Sequence, residues 1–171
     1  MLAYQAWQQP VGIDSTNITA QHTYRFDNGW SSRIAAGTSR SVIDDNVAFA
    51  YGCYYVEPCW DGSVPGNYFA PNGDYDIYDY RSPDDTRRNH QLRAELQGSV
   101  VTGRVQHALT IGGDYFMRTV DRRRNVNEYV GSGSIYEQTV PQYTPSPLMP
   151  GPSVRRLQSR QSALFLLDRM Q

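Results

Sequence analysis

Lysine is absent from this sequence, and all 16 of its basic residues are arginine. That bias reads as coding composition and carries little about function. Charge of one sign is also missing: 16 basic residues face 17 acidic ones for a formal net charge of −1. Nothing in that balance argues for a nucleic-acid partner. Long hydrophobic runs are lacking too, and no stretch approaches the roughly 20 apolar residues that a membrane-crossing helix needs. The N-terminal Met1-Leu2-Ala3-Tyr4-Gln5-Ala6-Trp7 has neither a basic nor an apolar region, so it does not read as a signal peptide. No nucleophile elbow, phosphate-cradling glycine loop or zinc-protease helix motif occurs, and nothing supports catalysis. Cysteine is confined to Cys53 and Cys59. A small disulfide loop in an oxidising compartment is the preferred reading, and two free thiols the alternative. No second pair completes a metal site, so none is expected.

What the chain has is tyrosine and glycine. Its 13 Tyr, 5 Phe and 3 Trp make it too aromatic for a disordered segment. A Tyr- and Gly-rich chain of modest overall hydropathy suits a membrane β-barrel, in which half of each strand faces a polar lumen. Two-residue alternation supports the same view. Ile18, Ala20, His22, Tyr24 and Phe26 form one face against Asn17, Thr19, Gln21, Thr23 and Arg25. Asp27-Asn28-Gly29 is a strong hairpin signal, and Trp30, Ile34 and Ala36 continue the apolar side beyond it. Leu92, Ala94, Leu96, Gly98 and Val100 then alternate with Gln91, Arg93, Glu95 and Gln97. After Val101-Thr102-Gly103, the positions Val105, His107, Leu109, Ile111, Tyr115 and Met117 repeat the pattern.

The expected fold is all-β: an antiparallel up-and-down meander of about five long strands, near 13–26, 30–42, 86–100, 104–118 and 157–170. The last strand is expected to place Ala163, Phe165 and Leu167 on its apolar side. Long connections at 43–85 and 119–156 are too extended for ordinary loops of a compact domain. Short turns at one end and long loops at the other are the pattern of a transmembrane barrel, with the short turns periplasmic and the long loops extracellular. The apolar face between Ile18 and Ala36, and between Leu92 and Met117, carries no Asp, Glu or Arg. Tyr24, Phe26 and Trp30 at the tight-turn end, with Tyr115 towards the other, fit the aromatic girdles of such barrels.

Three patches resemble the TonB-dependent siderophore receptors. His22-Thr23-Tyr24-Arg25-Phe26-Asp27-Asn28-Gly29-Trp30 is similar to the family's H-x-F-x-D-G-W hairpin. The run Val101 to Tyr115, with Thr102-Gly103, His107, Leu109, Gly112 and Asp114-Tyr115, is similar to its T-G-x-x-x-H-x-L-x-x-G-x-D-Y segment. Gln161 to Asp168 resembles its Q-x-G-x-Y-x-Q-D strand, with Ala163 for Gly, Phe165 for Tyr and Leu167 for Gln. A weaker likeness runs from Val130 to Tyr136. The resemblance implies a partial receptor barrel, a fragment without the plug domain and TonB box, in the outer membrane of a Gram-negative bacterium. It implies binding and uptake of ferric siderophores, energised by the TonB–ExbB–ExbD system through the missing plug. Outer-membrane lipid and lipopolysaccharide are further implied contacts. Iron would arrive chelated, so no cofactor of the protein's own is expected.

Candidate ligand contacts are the aromatics of the first long connection: Tyr51, Tyr54, Tyr55, Trp60, Tyr68, Phe69, Tyr75, Tyr78 and Tyr80. These rings could equally pack a small core of the loop itself. Arg122-Arg123-Arg124 is a candidate anion or lipopolysaccharide contact, or a solvated charge run. Arg93, Glu95, Asp114 and Arg118 are expected to face the lumen and pair across strands. His22, His90 and His107 share no metal-ligand spacing, and structural roles are expected. Asp44-Asp45, Asp84-Asp85 and the Asp74/Asp76 pair read as loop formers. The alternative from another class is a soluble β-rich carbohydrate-binding or structural module, which would close its sheets on one another.

Overall fold

The computed structural model describes residues 2–55 and 69–171. Among them there is no helix, and six strands form one open antiparallel sheet. The strands are β1 (Gly12–Arg25), β2 (Ser31–Ala50), β3 (Asp74–Thr102), β4 (Val105–Arg123), β5 (Val126–Ser134) and β6 (Ser153–Met170). Hydrogen-bonded neighbours follow the order β1-β2-β3-β4-β6, and β5 pairs with β3. Each strong alternation in the sequence is a strand, and each tight turn is where Gly29 and Gly103 adopt positive φ. At the first turn the Phe26 amide donates to the Trp30 carbonyl at 2.8 Å.

Two expectations require correction. Most of the described residues in the connection at 43–85 are strand, because β2 runs on to Ala50 and β3 begins at Asp74. The connection at 119–156 likewise contains the end of β4, all of β5 and the start of β6. Asp44, Asp45, Asp74, Asp76, Asp84 and Asp85 therefore lie in strands rather than turns. In 74–80, Asp-Tyr-Asp-Ile-Tyr-Asp-Tyr alternates up to Ile77 and again from Tyr78, with the phase flipping between them and tyrosine filling many positions where aliphatic residues usually stand.

The second correction concerns β6. Gln106 and Gln171 exchange backbone hydrogen bonds at 3.0 and 2.9 Å, which sets the register of β6 against β4. Gly112 then meets Phe165, and Gly113 meets Leu164. Phe165 thus shares a face with Arg93, whose guanidinium lies 5.0 Å from its ring centroid. Leu164 and Leu166, not Ala163, Phe165 and Leu167, belong to the apolar face. Five consecutive apolar residues, Ala163 to Leu167, carry no alternation, so backbone pairing rather than pattern decides which side each takes.

The chain divides into two compact units. The second comprises Asp14–Val42, Thr86–Asp121 and Arg155–Gln171. It is a single layer of sheet. One face carries Ile18, Ile34, Leu92, Leu96, Ile111 and Leu164, all exposed. The other carries Thr19, Gln21, Arg33, Gln91, Arg93 and Asp114. Here Arg33 donates to Gln21 at 2.8 Å, and Asn89 donates to Ser39 at 2.9 Å. Among the described residues only Thr86 and Thr119 of this unit are buried. A sheet normally hides its apolar face against another layer. This one does not.

The first unit comprises Met1–Ile13, Ile43–Asp85 and Arg122–Val154. It holds every buried hydrophobic side chain among the described residues, including Ala3, Tyr75, Ile77 and Val126. Its core forms where one face of β3 is covered by the N-terminal segment and by residues 140–146. Polar groups tie these layers together. Gln5 donates to the Pro141 carbonyl at 2.9 Å and accepts from the Tyr143 amide at 2.8 Å. Tyr143 donates its hydroxyl to the Ser132 carbonyl at 2.6 Å, and Ala3 donates its amide to the Tyr75 hydroxyl at 3.3 Å. Gly131 and Gly133 of β5 leave room for the rings of Tyr143 and Tyr75, which a Cβ at either position would strike.

Candidate functional site: an aromatic face with a buried carboxylate

Because side chains alternate along a strand, Tyr75, Ile77 and Asp79 of β3 share one face and Asp76, Tyr78 and Tyr80 the other. The first set is spent on the core. Asp79, fully buried, is bound by Arg81 at 3.1 Å and by the Ser146 amide at 2.9 Å. The second set opens onto a sheet of rings. Phe49 stacks on Tyr78 with centroids 5.9 Å apart and 23° between planes. Tyr51 meets both Phe49 and Tyr78 edge-on at 6.1 and 6.2 Å, and Tyr80 meets Phe49 at 6.0 Å. Across the β3–β5 ladder Tyr78 opposes Tyr129, whose ring also lies 4.5 Å from that of Tyr55. Tyr51, Tyr54 and Tyr55 remain about half exposed. The result is a continuous aromatic surface that solvent reaches.

Asp76 lies on this face, fully buried. Its Oδ2 accepts the amides of Tyr54 and Tyr55, the latter at 3.0 Å. Its Oδ1 is buried and has no hydrogen-bond partner among the described residues. Burial pushes the carboxyl above its ordinary value, against the opposing pull of the Tyr55 and Tyr54 amides. Tyr78 is pushed up to about 12, first by burial and then by the negative field of Asp76. The phenol therefore stays neutral at any physiological pH.

Of the expected ligand-contact residues, Tyr54, Tyr55, Tyr78 and Tyr80 come together here with Tyr51. Tyr75 does not: it is fully buried in the core, with no surface to offer a ligand. Phe69 packs edge-on against Tyr75 at 5.9 Å. Trp60 and Tyr68 lie outside the described residues, as does Cys59, while Cys53 is disulfide-bonded. Phe49 and Tyr129 were not anticipated. Phe49 is signalled by its spacing of two from Tyr51, but Tyr129, between Glu128 and Val130, has no ring two positions away and carries no such sign.

The arginine run is not a free cluster. Arg122 pairs with Asp85 at 3.2 Å and Arg123 with Asp84 at 2.9 Å, while the exposed Arg124 accepts a bond from the Gly151 amide through its carbonyl. Arg93, Glu95, Asp114 and Arg118 do share one face of the second unit. Arg93 pairs with Glu95 at 2.6 Å and stands opposite Asp114, and Arg118 stands opposite Asn89. A shallow groove on that face is lined by Thr19, Gln21, Gln91, Arg93, Asp114 and Phe116. Near the second tight turn His107 is held on both ring nitrogens, by Asp168 at 2.7 Å and by Thr102 at 2.6 Å. His90 bonds Thr38 at 3.0 Å. No group of three or more His, Cys, Asp or Glu able to hold a metal occurs among the described residues.

No protein-family model matches the chain, and no curated protein matches it.

Proposed function

We propose that this chain is part of the wall of an outer-membrane β-barrel of the TonB-dependent siderophore-receptor type, and that its aromatic face contacts the ferric ligand. The observation that carries the reading is the second unit's single layer of sheet, whose apolar face, charge-free over its middle stretch, is left uncovered among the described residues. Water is a poor neighbour for Ile18, Leu92, Ile111 and Leu164, at roughly 25 cal/mol per Å² of apolar surface. Lipid is a good one. On β6 the charge-free stretch of that face runs between Arg160 and Asp168, about 26 Å along a strand that rises ~3.3 Å per residue. At the ~35–45° tilt of barrel strands that length covers roughly 20 Å of the ~25 Å apolar band of such barrels. The opposite face, rich in Gln, Thr and Arg, suits a lumen. A soluble module would bury the apolar side against a second sheet, and the described residues supply none over it.

Photolabelling tests the membrane reading. The full chain is reconstituted in phospholipid vesicles carrying a diazirine on the acyl chain. Label should fall on Leu92, Leu96 and Ile111 and spare Gln91, Arg93 and Thr110. Equal labelling of both faces, or none, defeats the proposal. For the ligand, a saturable quench of tyrosine emission by a ferric hydroxamate, weakened in Tyr78→Leu, is the expected result. Quenching that never saturates refutes ligand contact at these rings.

A further inference from the structure

The two charge signs are matched very unequally around the aromatic face. Three of the first unit's four arginines have a carboxylate partner, Arg81 with Asp79, Arg122 with Asp85 and Arg123 with Asp84, and the fourth, Arg124, is exposed. Asp76 has no such partner among the described residues. Its carboxylate accepts the Tyr54 and Tyr55 amides on Oδ2, and Oδ1 is buried without a partner among the described residues. A buried carboxylate without a counter-charge is costly. Around it stand the tyrosines whose backbone or ring positions it shares: Tyr54 and Tyr55 through their amides, Tyr51 through the bond from its amide to the Asp76 carbonyl, and Tyr78 two residues along the same face.

We propose that the aromatic face of Phe49, Tyr51, Tyr55, Tyr78 and Tyr129, with Asp76 beside it, is a site for an organic cation, so that the ligand presents an ammonium group there rather than an anionic one. Aromatic faces carry negative potential and attract alkylammonium groups. The carboxylate, itself fully buried, supplies formal negative charge to the site through its field rather than by direct contact. A bare divalent metal does not fit, because such ions gather several ligands and no group of three or more His, Cys, Asp or Glu able to hold one occurs among the described residues. An anion fits less well than a cation, since three of the first unit's four guanidiniums are already held by aspartates. This deepens the proposed ligand site and rests on the aromatic face being that site.

Three probes of one shape separate the ideas. Choline, its neutral isostere 3,3-dimethylbutanol and the anion 3,3-dimethylbutyrate are titrated into the full chain at pH 7.5. The chain is held in a maltoside detergent, which carries no ammonium of its own, and the tyrosine ring resonances are followed by NMR. Choline should bind on the order of tenfold or more tighter than the alcohol, with the butyrate weakest. Asp76→Asn should remove most of that difference and leave the alcohol unchanged. The comparison among probes on the unaltered chain needs no variant, so a folding defect in Asp76→Asn cannot blur it. If choline and the alcohol bind alike, the cation inference falls while the aromatic site stands. If no probe shifts the rings, both fall together.

Discussion

A charge placed on the apolar face of the second unit should be harmless in water and damaging in lipid. Ile111 stands near the middle of β4, is 46 % exposed, and pairs across the ladder with Leu96, itself 37 % exposed. Thr110, its neighbour in sequence, pairs with Gln97 on the other face. In buffer, exchanging a half-exposed side chain of a sheet that has no second layer changes stability by about 0.5 kcal/mol or less. In a bilayer the Ile111→Arg guanidinium would sit at mid-depth of the lipid face, at a cost of ~2–4 kcal/mol. That range corresponds to roughly 30- to 800-fold in a partition constant. Thr110→Arg should change the same constant by about twofold or less, because it faces water on either account. Partition of the full chain between buffer and phosphatidylcholine vesicles, read by tryptophan emission across a lipid titration, gives each constant directly. Equal constants for the two variants would refute the assignment of the odd-numbered face of β4 to lipid. So would an Ile111→Arg protein that inserts as well as the unaltered chain.

Three further outcomes follow from the packing. Ile77→Ala empties part of the first unit's core and should cost ~2–5 kcal/mol there, seen as faster amide exchange across 74–81 with little change across 92–100. Gly98→Ala drives a methyl into the Trp30 indole and should cost ~1–3 kcal/mol in urea unfolding. Trp30→Leu should recover much of that loss, and a strictly additive double variant would dismiss the contact. Asp76→Asn should change how stability depends on pH. The folded carboxyl titrates above its ordinary 3.8, so the native state holds its proton longer than the unfolded chain and loses stability as pH rises through the elevated value. The variant lacks that loss. Relative to it, the unaltered protein should match in acid and fall behind at neutral pH, and parallel pH profiles would rule the effect out.

The second unit is readable from sequence because each of its inner strands alternates between two unlike environments. Ile18 to Phe26 and Leu92 to Met117 declare both period and face without outside help. Legibility stops where that contrast does. Ala163 to Leu167 is apolar throughout, and only the bonds between Gln106 and Gln171 decide that Phe165 joins Arg93. Asp74 to Tyr80 breaks its alternation at Ile77 and Tyr78 and carries turn-favouring aspartates, and the partner that makes it a strand lies far along the chain in β5. The site was half visible. Ring density marked Tyr54, Tyr55, Tyr78 and Tyr80, but density does not separate Tyr78, which reaches the aromatic surface, from Tyr75, which fills the core. Nor does adjacency reveal that Arg122 and Arg123 are claimed by Asp85 and Asp84, a pairing across the β3–β4 ladder far from its turn.

Gly98 beneath Trp30, Gly112 beneath Phe165, Gly131 beneath Tyr143 and Gly133 beneath Tyr75 repeat one arrangement, a bare backbone roofed by a ring from another segment. The two members of each pair can only drift together. A side chain gained at the glycine is barred until the ring shrinks, and a ring lost first uncovers a strip of main chain. Related chains should therefore keep or abandon these pairs as units, leaving a trace of correlated exchange between positions far apart in sequence, by which true relatives could be told from chains that share only alternation.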